Sequence, residues 1–401
     1  MFPIVWVAVL PFAYGGANAD LATLAEGLSE EIVTGLTRFS YLRVIARASV
    51  RRYAGQAVDV RAVGREIGAR YVMEGSVRQA GPALRIAAQL VDTSSGAHLW
   101  AETYSRPFHA DAVFEVQDDV VARIVSTVAD WYGVLPRSMS DAVRSKPVHQ
   151  LSAYEALLRS FGYYARVVPD EHATARAVLE RAVAEAPDQA APWAMLSMLY
   201  GEEHRFGFNV LPDALDRSLL AARRAADGAP SRHMSHLALA QAHYFRRDHA
   251  AFRDAAERAV ALNPMDGATV EYLGHLMAFA GEWERGCELG ERARQLNPQH
   301  PAWYWALPLL DAYRQGDYQG ARTFLSKAHM RGQAYSTALS AAVLGQLGDT
   351  EAARSGVRAL LALQPDFART ARAQFGKWYL PGLVEHLIDG LRKAGLEIHD
   401  S

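Results

Sequence analysis

Three histidines, His233, His236 and His243, fall on one predicted helix at spacings of three and seven, near one face. Imidazoles so placed could share a metal ion. No carboxylate or cysteine close in sequence completes a ligand set, so polar groups lining a groove are expected and no bound metal. Gly15-Gly16 stand between a strand and a helix, where backbone N–H groups could hold an anion. Neither a G-x-G-x-x-G pattern nor a Lys-Ser/Thr pair accompanies them, so a turn and a helix cap are expected. Gly75-Ser-Val-Arg-Gln-Ala-Gly81 raises the same question. A phosphate-gripping loop runs from strand to helix. Here the following residues alternate, with Leu84, Ile86, Ala88 and Leu90 on one side, and no lysine precedes Lys146. The stretch therefore reads as part of a β-hairpin. The adjacent acids Asp118-Asp119 and Glu30-Glu31 point apart on a helix and make poor acid–base pairs. Cys287 is the single cysteine; it can form neither an intrachain disulfide nor a Cys-based zinc site, and it reads as a small packing residue. The expectation is no catalytic residue, no metal and no cofactor.

The elements that would carry these residues fall into two regimes. With 401 residues the chain is too long for one ordinary core, and its 50% hydrophobic content makes it globular. A formal net charge of -2 gives no basic excess for nucleic acid. The apolar N-terminus "MFPIVWVAVLPF" lacks a basic leader and a cleavage site, and it is too short to cross a bilayer. It reads as a buried strand over Ile4–Leu10. No transmembrane segment is expected. A cytoplasmic location is predicted, with a periplasmic or envelope-associated one as the alternative. The first 135 residues then read β-α-β-α-β-β-β-α, one mixed sheet with helices packed on it. Asn18 and Asp20 are candidate caps of the first helix, Asp59 caps a brief helix stopped at Gly68, and Asp111 opens the last helix. Residues 136–150 lose the periodicity and read as a linker.

From 151 to 401 every periodic segment is helical, and markers recur. Asn263-Pro264 and Asn297-Pro298 lie 34 residues apart. Arg247-Asp248, Gly281-Glu282, Gly316-Asp317 and Gly348-Asp349 follow at spacings of 34, 35 and 32. Each period is a helix, a tight turn, a second helix and a proline that ends it. One helix pair cannot bury its own apolar face, so the pairs must stack. Pro187 to Pro230 spans 43 residues, and the excess maps to the loop 201–213 with Phe206 and Phe208. The helix 383–397 is expected to cap the stack.

The period, with Pro187, Trp193, Leu196, Ser197 and Tyr200 in phase, resembles the tetratricopeptide repeat. Pro308 departs from it, since a small residue is expected there. "VAVLPF", "LAEGLSEEIVTGLTRFSYLRVIARAS" and the segment from Val60 to Tyr104 resemble the TolB amino-terminal-like domain, over roughly residues 4 to 130. That domain occurs beside tetratricopeptide repeats in bacterial signalling proteins, often after an adenylate cyclase or winged-helix domain. The resemblance carries no catalytic residues to transfer. It implies an α/β amino-terminal domain (1–135), a linker (136–150) and an all-α tetratricopeptide-repeat superhelix of about five or six helix pairs with a capping helix (151–401). The function it implies is a non-catalytic signalling adaptor whose groove binds a protein or peptide partner. Candidate groove residues are Trp193, Tyr200, Phe206, Phe208, His236, His243, Tyr272 and Tyr304. The alternatives are the regulatory portion of a class III adenylate cyclase system, and a TolB-like envelope-associated protein. Homo-oligomerisation stays open.

Overall fold

The computed structural model describes residues 5–56, 58–107, 109, 112–330 and 332–398. The chain divides into two compact units. One holds the residues up to Leu239 with Glu257–Ala268; the other holds Ala240–Ala256 and the chain from Thr269 onward.

The first unit begins with a five-stranded sheet. Its elements are β1 (Trp6–Val9), α1 (Ala19–Thr37), β2 (Arg43–Val44), α2 (Arg47–Val50), α3 (Val60–Ile67), β3 (Tyr71–Ala80), β4 (Ala83–Asp92), β5 (Ala97–Pro107) and α4 (Val113–Ala129). The strand order is β2-β1-β3-β4-β5. β1 pairs parallel with β2 and β3, while β3, β4 and β5 run antiparallel. Val7, Ala8 and Val9 are fully or almost fully buried, as a strand covered on both faces requires. Asn18 caps α1 by accepting from the Asp20 N–H, and Asp59 caps α3, which ends at Gly68 in the left-handed region. The expected cap Asp111 lies outside the described residues. Ala80 pairs with Ala83 across a turn containing Gly81, at φ 59°. The stretch that could have gripped phosphate is therefore the end of a hairpin strand. Gly75 sits within that strand because a side chain there would strike the Phe12 ring and the Ala87 carbonyl.

The stretch 136–150 departs from the sequence reading. Its first half lies wholly within the helix α5 (Val134–Arg144), which buries Leu135, Met139 and Val143 and packs on α6 (Ala153–Tyr164). The cause is a stripe of apolar residues at spacing four, with Pro136 in the first turn, where its missing N–H costs nothing. The sheet region and the helices beyond α5 also share a core. Tyr41 is fully buried, donates to the Ala129 carbonyl and meets the Phe161 ring at 4.8 Å. Tyr154 donates to the Tyr41 carbonyl at 2.9 Å, and Phe39 meets the His233 ring at 5.8 Å. The unit continues through α7 (Pro169–Glu185), α8 (Ala190–Phe206) and α9 (Ala214–Gly228), with α7 packed on α8 and α8 on α9.

The division of the chain runs through α10 (His233–Phe245), α11 (His249–Leu262) and α12 (Gly267–Phe279). The second unit continues with α13 (Trp283–Leu296), α14 (Ala306–Arg314), α15 (Tyr318–Ala328), α16 (Ala334–Gln346), α17 (Thr350–Leu363), α18 (Phe367–Trp378) and α19 (Pro381–Lys393). The turn markers read from sequence have one geometry. Gly281, Gly316 and Gly348 all have positive φ, and so does Arg247, at 63°. Pro308 lies in the first turn of α14, behind a single 3-10 turn over Ala302–Trp305, so it removes no helical hydrogen bond.

Candidate functional site

The residues expected to line a groove are each held by local partners. In the first unit the Trp193 indole donates to the Pro187 carbonyl at 2.9 Å. Tyr200 donates to Glu180 at 3.0 Å and carries the Arg217 guanidinium over its ring; burial pushes its hydroxyl up to about 12. His236 donates to the Pro230 carbonyl at 2.8 Å, while the buried His233 pairs with Asp266 at 2.9 Å. In the second unit His243 lies 3.3 Å from Asp248, so the three histidines have three separate partners. Tyr272 donates to Gln241 at 2.7 Å. Tyr304 is fully buried and stacked on His300, which makes it core.

The inserted loop divides its two phenylalanines. Phe208 meets His172 edge-on at 6.1 Å, and Asn209 ties the loop to Pro169 and His172. Phe206 is exposed under Arg205, as are Val210 and Leu211. Beneath the loop lie two buried acids on α8. Glu203 accepts from Arg176 at 2.8 Å, Arg217 at 2.5 Å and the Leu211 N–H at 3.0 Å. Burial alone would raise its pKa, but these donors together hold it below the ordinary glutamate value. Glu202 points the other way, toward Tyr163 and Tyr164, with Arg205 at 3.5 Å; burial pushes it up to about 7. In the second unit burial also drives Glu271 well above the ordinary value, with Arg294 at 3.8 Å. These acids act as buried structural pairs. Cys287 borders a cavity of about 340 Å³ lined also by Arg294, Pro308 and Phe324, and burial raises its thiol to about 11.

A coherent buried interface lies elsewhere in the second unit. Residues of successive first helices meet α18 and the turn after it. Tyr244 donates to the Trp378 carbonyl, and Arg247 donates to the carbonyls of Gly376 and Lys377. Phe245 packs on Trp378 at 5.4 Å, and Phe279 meets Tyr379 edge-on at 4.7 Å. Tyr335 lies among Phe375, Trp378 and Tyr379. Tyr313 donates to the His386 carbonyl of α19 at 2.9 Å. The helix expected to cap the stack thus rests, with α18, against first-helix residues. Sequence reasoning passed over Tyr244, Phe279 and Tyr313, although they recur at 35 and 34 residues, in the period of the repeats.

Comparisons with known proteins bear on each part of the chain. Residues 5–123 match a family model described as the second domain of HilA/YgeH-like transcriptional regulators. That stretch nearly coincides with the one expected to be TolB-like. The putative adenylate cyclase 3 of Rhizobium meliloti (strain 1021) is 36% identical over 237 residues, covering 59% of this chain and 40% of the relative. The chain thus spans less than half the length of that relative. Among solved structures, TolB from Acinetobacter baumannii aligns with 30% of this chain and 27% of its own, at 19% identity and a TM-score of 0.23. YrrB, described as a TPR protein with an unusual peptide-binding site, aligns with 47% of this chain and 93% of its own, at 15% identity and TM-score 0.32. Yeast Tom70 aligns with 94% of this chain and 71% of its own, at 11% identity and TM-score 0.38. Scores this low carry neither fold nor function across. Among the described residues no helix is long and apolar enough to cross a membrane, and no group of three metal-ligating side chains occurs.

Proposed function

We propose that the chain is a non-catalytic, polypeptide-binding signalling adaptor. In this reading residues 1–135 are a TolB amino-terminal-like module, and residues 151–401 are tetratricopeptide-type repeats whose first helices receive a segment of a protein partner. One observation carries the reading. Tyr244, Arg247, Phe279 and Tyr335 already grip a helical polypeptide, the α18 segment, through aromatic faces and donors to its terminal carbonyls. Such anchors recognise an amphipathic helix laid in a groove. In the first unit the exposed Phe206, Val210 and Leu211 offer a separate apolar contact.

The similarity to a putative adenylate cyclase favours a second reading, a regulatory portion of a cyclic-nucleotide system. Both readings place catalysis outside these residues. Purified protein incubated with ATP and manganese should make no cyclic AMP. Turnover by this chain, abolished by none of the usual contaminant controls, would overturn the non-catalytic reading.

A further inference from the structure

The contacts of α18 and α19 differ in kind. α19 is locked onto α16 by a close helix crossing: a side chain at Gly345 would lie 2.1 Å from the Gly390 carbonyl, and one at Gly390 would lie 2.8 Å from the Ala342 carbonyl. Gln346, Asp389 and Lys393 add polar links at 2.8 to 2.9 Å. α18 is held at its C-terminal end by the aromatic residues and the two carbonyl-directed donors, along its length by the buried Phe367 and Ala371, and to α19 by Arg372, which donates to Glu385 at 2.8 Å.

That seat is imperfect. The Tyr379 hydroxyl is buried without a hydrogen-bond partner among the described residues, which leaves a polar group desolvated for nothing. Lys377 is half-buried with no carboxylate at salt-bridge distance among the described residues, and burial lowers its pKa. On the other side, the surface keeps a strained residue to hold the segment. The equivalent turns carry Gly281, Gly316 and Gly348, which adopt positive φ freely; Arg247 adopts it with a side chain. Its guanidinium then reaches the Gly376 and Lys377 carbonyls.

We infer that α18 is a displaceable internal ligand: the segment Phe367–Leu380 covers the row formed by Tyr244, Arg247, Phe279 and Tyr335 until a partner helix replaces it, while α19 stays in place. The chemistry of the row defines that partner. It is an amphipathic helix with aromatic residues at i, i+3 and i+4, as Phe375, Trp378 and Tyr379 are spaced. It carries phenylalanine at the third position and no lysine before the second, and its C-terminal carbonyls meet Arg247. This inference rests on the proposed polypeptide-binding role.

Native-state hydrogen exchange on the full chain tests it. The amides of α18 should exchange through a local opening, well before those of α14 and α16. Tyr379→Phe removes the orphaned hydroxyl and should slow that exchange roughly tenfold. Trp378→Ala should speed it by a similar factor, roughly tenfold. Exchange of α18 only together with α14 and α16 in all three proteins would overturn the inference, as would an unchanged rate in Tyr379→Phe. A segment that opens as expected, but whose row then binds no helical peptide, would instead defeat the binding role and leave the opening established.

Discussion

Glu203→Ala is expected to destabilise the chain by roughly 3–5 kcal/mol, because it breaks a buried ion-pair network from its centre. The carboxylate is fully buried and joins three elements: Arg176 on α7, Arg217 on α9 and the Leu211 N–H of the inserted loop. Removing it leaves two guanidinium groups, each at most a quarter exposed, without their shared counter-charge. The loop loses its anchor at the same time. Urea denaturation followed by tryptophan fluorescence measures the loss, and limited proteolysis within 207–213 should become faster. A loss below about 1 kcal/mol would mean that solvent replaces the carboxylate, contrary to its burial. The pH dependence has a definite sign. The folded pKa of Glu203 lies below the ordinary 4.5, so its contribution is present above that value and fades as pH falls through the folded pKa. Glu203→Gln should lack that acid-side loss.

Its neighbour should behave in the opposite way. Burial raises Glu202 from 4.5 to about 7, so the folded state binds this proton more tightly than the unfolded chain does. The contribution of Glu202 is therefore greatest below about pH 4.5, declines as pH rises toward 7 and is flat above. The decline is on the order of 3 kcal/mol. Glu271 shifts in the same direction, so the wild-type curve alone cannot isolate it. The difference between wild type and Glu202→Gln can. That difference should move against the wild type by on the order of 3 kcal/mol between pH 4.5 and pH 8. A pH-independent difference would show that Arg205 keeps Glu202 ionised throughout. Two adjacent glutamates thus carry opposite pH signatures, because neighbours on a helix face different surroundings.

Much of this architecture is written in local residue chemistry. Asn18, Asp59 and Gly68 act where their side chains or backbone freedom direct them, and the alternation from Leu84 to Leu90 places β4 with its apolar side buried. The turn markers at Gly281, Gly316 and Gly348 are legible because positive φ selects glycine. The helix α5 was obscured by Pro136 and Ser140, which resemble linker residues until the four-residue spacing of Leu135, Met139 and Val143 is followed. The aromatic row that packs on α18 was missed for another reason. Repeat periodicity identifies which residues are equivalent, but not what they touch. Tyr200 and Tyr304 share the phase of first helices yet pack locally, while Tyr244 meets Trp378, 134 residues later in the chain, and Phe279 meets Tyr379. Arg247 was the available clue, a side chain standing where the other repeats place glycine. The buried acids were hidden too, since Glu202-Glu203 in sequence looks like any solvated pair.

The central claim is that first helices of the repeats present a surface that binds a helical polypeptide. The most direct measurement is fluorescence anisotropy of a labelled peptide spanning Phe367–Leu380 with the Tyr379→Phe change, titrated with full-length Trp378→Ala protein. Saturable binding that Trp378→Ala in the peptide weakens by about tenfold is the predicted result. No saturable binding into the high micromolar range, in protein whose α18 amides exchange early, would contradict it.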